Sequence, residues 1–156
     1  MKIVVFSDSH HTTKYMEQAV LDERPDYLIH LGDHIRDAYV LQQQFQTIPM
    51  AAVLGNCDLF APSEREQIVA FWGDVPMLLT HGHRYGVKEG LLRLSLAARE
   101  AGVRVALFGH THRAFCECTD DLWLLNPGSC SGRAPTYGVI ELQNKNVRCR
   151  IATVEV

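Results

Sequence analysis

No apolar run in this 156-residue sequence approaches the roughly 20 residues that a membrane-spanning helix needs. The opening run, KIVVFS (2–7), is also too short for the core of a secretion signal, so a cytoplasmic protein is the expectation. Positive charge is scarce. Fifteen Lys and Arg stand against 18 Asp and Glu, a formal net charge of −3, which offers no general attraction to nucleic acid or anionic membrane. Any phosphate-bearing substrate must then be captured by metal ions or a few local arginines. The five cysteines (Cys57, Cys116, Cys118, Cys130, Cys149) are odd in number and irregular in spacing, which argues against a disulfide framework. Cys116 and Cys118 have no second pair with which to complete a structural zinc site. No cysteine is followed by arginine at the six-residue offset of a cysteine-phosphatase loop, and no GxxxxGKS/T loop is present for nucleotide-dependent phosphoryl transfer. Repeats, low-complexity tracts and Gly/Pro/Ser linkers are absent as well. The length suits one domain with a substantial core, expected to span 1–156.

What is present is an alternation of strand and helix patterns. KIVVFS (2–7), DYLIHLG (26–32), MAAVLG (50–55), QIVAFWG (67–73), PMLLTHG (76–82) and RVALFG (104–109) read as strands. TKYMEQAVLDE (13–23), HIRDAYVLQQQF (34–45) and VKEGLLRLSLAAREAG (87–102) carry helical spacing, with Gly102 a stop signal for the last. AFCECT (114–119), DLWLLN (121–126), YGVIELQ (137–143) and VRCRIATVEV (147–156) make the final third strand-rich, with turns at TDD (119–121) and QNKN (143–146). The order predicts an α/β layered fold closed by antiparallel hairpins.

Five apolar runs end in polar, metal-competent side chains: Asp8 and His10, Asp33, Asn56, His81 and His83, and His110 and His112. Loops at the carboxyl ends of parallel strands converge on one crevice, so five such endings imply a shared site. Glycine precedes the polar residue at Gly32-Asp33, Gly55-Asn56 and Gly109-His110, where it permits sharp turns and close approach. The pairs 8/10, 81/83 and 110/112 would point the same way on an extended backbone. His30, inside YLIHLG, reads as an interior residue. Asp, His and Asn are oxygen and nitrogen donors suited to Mn²⁺, Fe, Zn²⁺, Co²⁺ or Ni²⁺. They are too many for one ion, and paired metals are characteristic of phosphoester hydrolysis.

The ordered set Asp8-Ser-His10, Gly32-Asp33, Gly55-Asn56-Cys57-Asp58, His81-Gly-His83 and Gly109-His110-Thr-His112 resembles the five-block signature of the calcineurin-like metallophosphoesterases. GNCD, THGHRYG (80–86), LFGHTHRA (107–114) and NPGS (126–129) are similar to its compact single-domain prokaryotic phosphodiesterases, which share their fold with the retromer scaffold subunit. The resemblance implies a four-layer α/β/β/α sandwich with a dinuclear site at one edge. Asp8, His10 and His112 would hold one ion; Asn56, His81 and His110 would hold the other, with Asp33 bridging. Mn²⁺ is the expected metal. A hydroxide shared by the ions would attack phosphorus in line. His83 would lie near the substrate and Asp58 would orient a ligand. Cys57 stands where the wider superfamily often has a histidine that assists the leaving group. His11 replaces a common glycine, and with Arg36, Arg84 and Arg133 it is a candidate substrate contact; NPGSCSGR (126–133) is a turn bordering the site.

The expected activity is metal-dependent hydrolysis of small phosphodiesters, with no membrane partner, no long nucleic acid, and self-association left open. The alternative is a non-catalytic scaffold of the same fold that binds proteins. Such a scaffold is expected to lose ligand residues, whereas every position here is filled by a competent one.

Overall fold

The computed structural model describes residues 1–59, 61 and 63–155. Its first sheet has the order β10-β9-β1-β2-β3, with β1 (Lys2–Phe6), β2 (Tyr27–His30) and β3 (Met50–Ala52) parallel, and β9 (Thr136–Gln143) and β10 (Asn146–Thr153) forming an antiparallel hairpin at one margin. The second sheet has the order β4-β5-β6-β8-β7. Here β5 (Val75–Thr80), β6 (Val105–Leu107) and β8 (Leu122–Asn126) are parallel, flanked by antiparallel β4 (Gln67–Trp72) and β7 (Phe115–Thr119).

Three apolar cores set the layers. Residues of both sheets, including Val5, Ile29, Met77, Leu107 and Leu125, form the central core. On the outer face of the first sheet, Val4, Phe6 and Leu28 pack on Met16, Ala19 and Val20 of α1 (Lys14–Glu23) and Leu41 of α2 (Ile35–Gln44). On the outer face of the second, Leu78, Ala106 and Phe108 pack on Leu94 and Ala98 of α3 (Leu92–Glu100). The parallel strands are apolar on both faces because each is covered twice, as continuous apolar runs require. The result is the α/β/β/α sandwich. No helix among the described residues is long and apolar enough to cross a membrane.

Two expectations need correction. The third helix begins at Leu92, not at 87, because Gly90 takes φ +153°, outside the helical region. The backbone through the candidate ligands is not extended: Asp8, His10, Asp33, His110 and His112 all have φ between +48° and +68°. Strand ladders stop short of these residues, and the polar ends expected on strands lie in tight loops beyond them.

Candidate metal centre

The loops after β1, β2, β5 and β6 meet at the seam between the sheets. Two groups of donors form there. Asp8, His10 and His112 have ligand atoms within 4.8 Å of one another, as do Asp8, Asp33 and His81. Asp8 belongs to both.

Each carboxylate has one oxygen committed and one free. Asp8 Oδ2 accepts the Ser7 hydroxyl at 2.6 Å and the His110 N–H at 3.2 Å. Its Oδ1 is buried without a hydrogen bond among the described residues, 3.1 Å from His112 Nε2 and 4.0 Å from His81 Nε2. Asp33 Oδ1 accepts the Cys57 N–H at 3.0 Å, which leaves Oδ2 3.4 Å from His81 Nε2. His81, fully buried, places Nδ1 2.8 Å from the Leu31 carbonyl. An N–H on Nδ1 must donate there, so the neutral ring presents the Nε2 lone pair inward, and that atom has no hydrogen-bond partner. His10 Nε2 and His112 Nε2 face each other at 3.3 Å. Unsatisfied buried acceptors and converging imidazole nitrogens are costly on their own and fit divalent cations with oxygen and nitrogen ligands.

The electrostatics agree with a cation-seeking site. Burial opposes ionisation of Asp33, but the facing His81 and the Cys57 N–H hold its carboxyl well below the usual range. Burial likewise opposes a charge on His81, and Asp33 and Asp8 outweigh it to raise the imidazole above its ordinary value. Burial first, then neighbouring imidazoles, lowers His10, His110 and His83.

A scaffold of shorter-range bonds fixes these groups. Asp58 accepts three backbone N–H groups, from Asp33 (2.8 Å), Gly55 (2.9 Å) and Ile35 (2.9 Å), and so clamps the second and third loops together. Its charge also sits at the N-terminus of α2, where an anion is favoured. A Cβ on Gly55 would collide with the Asp33 carboxylate, and one on Gly109 with the Ser7 hydroxyl, which explains glycine at both places. Asn126 donates to the Gly109 carbonyl (2.9 Å) and Thr111 Oγ1 (3.0 Å), while Ser129 Oγ donates to the Asp8 carbonyl at 2.7 Å. The NPGS turn therefore borders the site and holds its loops.

Of the remaining candidates, His110 lies with its ring centroid 5.1 Å from that of His81, and His83 5.6 Å from His81 with a buried, unpartnered Nδ1. Asn56 is exposed, its amide nitrogen 3.6 Å from Cys57 Sγ. Burial, then the Asp33 charge, raises the Cys57 thiol, so it stays protonated near neutrality. His11, Arg36, Cys57 and Asp58 line one groove of about 410 Å³. Arg84 is exposed and paired with Glu66. Arg133 is exposed in the loop after NPGS.

Several participants escaped the sequence reading. The His34 ring stands 4.9 Å from His10 and 4.0 Å from His11, at φ +66°. His30 is interior, as expected, but also wired to the site. The Gly32 N–H donates to its Nδ1 at 3.2 Å, so Nε2 carries the proton to Ser9 Oγ at 3.1 Å, and Ser9 donates to Asp37 at 2.7 Å. Burial lowers His30 to about 4, in keeping with a neutral ring. Asp37 also accepts the His11 N–H at 2.9 Å, so this chain holds the loop that carries Asp8 and His10. The only signal in the sequence was the polar residue density of SDSHH and GDHIRD.

The calcineurin-like phosphoesterase superfamily domain matches residues 1–145. The phosphodiesterase MJ0936 of Methanocaldococcus jannaschii is 28% identical over 167 residues, covering 95% of this chain and 97% of that protein. A conserved Streptococcus pneumoniae protein described as a predicted phosphoesterase superposes with a TM-score of 0.80 at 26% identity, over 97% of this chain and 88% of that one. Vacuolar protein sorting 29 from Cryptosporidium parvum gives 0.76 at 16% identity, over 97% and 96%, a likeness of fold alone.

Proposed function

The chain belongs to the calcineurin-like phosphoesterase superfamily, and from that premise we propose that it is a dinuclear metal-dependent phosphodiesterase acting on small diesters in the cytoplasm as a single domain. The observation that carries this reading is the pair of donor groups joined at Asp8, with Asp8 Oδ1 and His81 Nε2 buried and unpartnered between them. The more open ion would be held by Asp8, His10 and His112, and the deeper one by Asn56, His81 and His110, with Asp33 bridging them and Asp8 within reach of both groups. Two divalent ions, Mn²⁺ first among them, supply Lewis acidity toward the phosphate oxygens and a nucleophile at neutral pH.

The residues of the chain supply position and proton control. Asp58 and the Cys57 N–H orient Asp33, and the Leu31 carbonyl fixes the His81 tautomer. His83, with its free buried Nδ1, stands on the substrate side beside His110. Cys57, protonated at neutral pH, is a weak substitute for a leaving-group histidine, so good leaving groups are favoured. Cys57→His is expected to raise turnover of poor leaving groups, and lowered turnover would contradict that role.

The decisive experiment is chelation followed by Mn²⁺ reloading, with bis(p-nitrophenyl) phosphate as substrate and metal counted per chain. Activity lost and regained with two ions per chain supports the reading. Activity indifferent to the chelator, or a single ion, overturns it. A non-catalytic scaffold would bind no metal stoichiometrically, and the two donor groups at Asp8 favour the enzyme reading over it.

A further inference from the structure

Two grooves flank the candidate centre, one on each sheet. The groove on the α2 side contains Cys57 and Arg36. The other, about 550 Å³, lies on the α3 side. Its floor is apolar: Val87, Leu91, Phe108 and Phe115, the last two rings 6.3 Å apart and tilted by 54°. Its rim carries Lys88 and Arg113, both exposed and neither in an ion pair among the described residues.

The second groove abuts the centre through the chain. Thr111 lines it and sits between His110 and His112, and Phe108 leads directly into Gly109-His110. Val87 packs under the turn joining His81 to His83, so closely that a Cβ on Gly82 would stand 2.9 Å from Val87 Cγ2. An apolar floor below two uncommitted cations, on a chain of net charge −3, is complementary to one kind of occupant. It suits a flat apolar group with a negative charge of its own.

We propose that the α3-side groove is a subsite for the arm of the diester that does not leave, and that this arm combines a planar aromatic group with an additional anionic group. The inference rests on the phosphodiesterase reading. A diester has two organic arms, and the α2-side groove, which contains Cys57, takes the departing one. Stacking on Phe115 holds the ring, and Lys88 and Arg113 hold the second anion.

The test uses the Mn²⁺-loaded protein and equilibrium dialysis of methyl phosphate, thymidine 5′-monophosphate and thymidine 3′,5′-bisphosphate. The added base is expected to strengthen binding about tenfold, and the added phosphate about tenfold again. Lys88→Met with Arg113→Met should abolish the second gain, Phe115→Ala should abolish the first, and Arg36→Met should spare both. No gain in the unaltered protein overturns the proposal. So does a gain that survives the double substitution, or one lost in Arg36→Met. Turnover of the p-nitrophenyl ester of thymidine 5′-monophosphate separates the two readings. Binding preference without turnover counts against the phosphodiesterase alone, and turnover without preference counts against the groove alone.

Discussion

The two sheets bring different chemistry to the seam they share. The first sheet contributes both carboxylates, Asp8 and Asp33, fully or almost fully buried and each braced by a backbone N–H, with a single imidazole, His10, beside them. The second contributes imidazoles, ranging from buried His81 to His112, whose side chain is 48% exposed. Carboxylates must be desolvated and aimed at a cost, so they sit where the backbone can compensate them. Imidazoles need only an available lone pair and tolerate the rim. The acid half is therefore structural as well as chemical, and the imidazole half is more replaceable.

The largest expected contrast is between Asp8 and His112. Asp8→Asn removes the donor common to both groups and should lower turnover of bis(p-nitrophenyl) phosphate on the order of 10³-fold or more, with metal content falling toward zero. His112→Gln should lose one ion and keep the deeper one, and equal metal loss in both variants would erase the distinction. Metal loading comes next. Because each donor group combines loops of both sheets, the metal-loaded protein should gain about 4 kcal/mol at a thousandfold excess over Kd, read as a shift in the urea midpoint. A gain in the unaltered protein no larger than that of Asp8→Asn would break the account.

Asp58 sharpens the acid side further. Asp58→Asn keeps the shape but turns an NH₂ toward at least one of the three N–H donors and loses that acceptance, and metal affinity should drop about 10–100-fold by calorimetry. The smallest effect lies far from the seam, at Glu23, which accepts Arg150 at 2.7 Å, Lys2 at 3.1 Å and the Tyr137 hydroxyl at 3.2 Å. Burial resists its ionisation, yet Arg150 and Lys2 hold its carboxyl below the ordinary value. A lowered folded value means that this stabilisation is present above the usual Glu range and is lost as pH falls through the folded value. Glu23→Gln should cost about 1–2 kcal/mol in denaturant melts at pH 7 and much less at pH 3, with metal binding unchanged.

Much of the fold was legible because its signals are local. Apolar runs such as IVVF and MLL are periodic enough to announce buried strands, and each is followed at once by the donor it presents. The donors were legible as a set for the same reason. The commitments of single atoms were not. That Asp33 Oδ1 is taken by Cys57, or that Asp58 closes onto Gly55, Asp33 and Ile35, depends on contacts spanning up to 25 residues that leave no period in the chain. The left-handed backbone at five donors was hidden too, because His and Asp adopt it uncommonly and no glycine marks those positions. Such conformations persist only where surrounding bonds over-determine them, here the Ser9–His30–Asp37 chain and the Ser129 anchor. His34 carries no signal of its own, because one histidine after Asp33 has no pattern to distinguish it from a turn residue.

The hydrogen bond from Ser129 to the Asp8 carbonyl spans 121 residues, and the meeting of His112 with Asp8 joins the same distant parts of the chain. On a ribosome, Asp8 and His10 emerge long before His110, His112 and the NPGS turn that pins them. The bonds available to the first loop before then include those of the Ser9–His30–Asp37 chain, and its Ser129 anchor arrives only with the NPGS turn. If the proposed ions bind, completion of their donor groups would then be a late event in the making of the chain, since His81 follows Asp8 by nearly half its length and His112 by most of it.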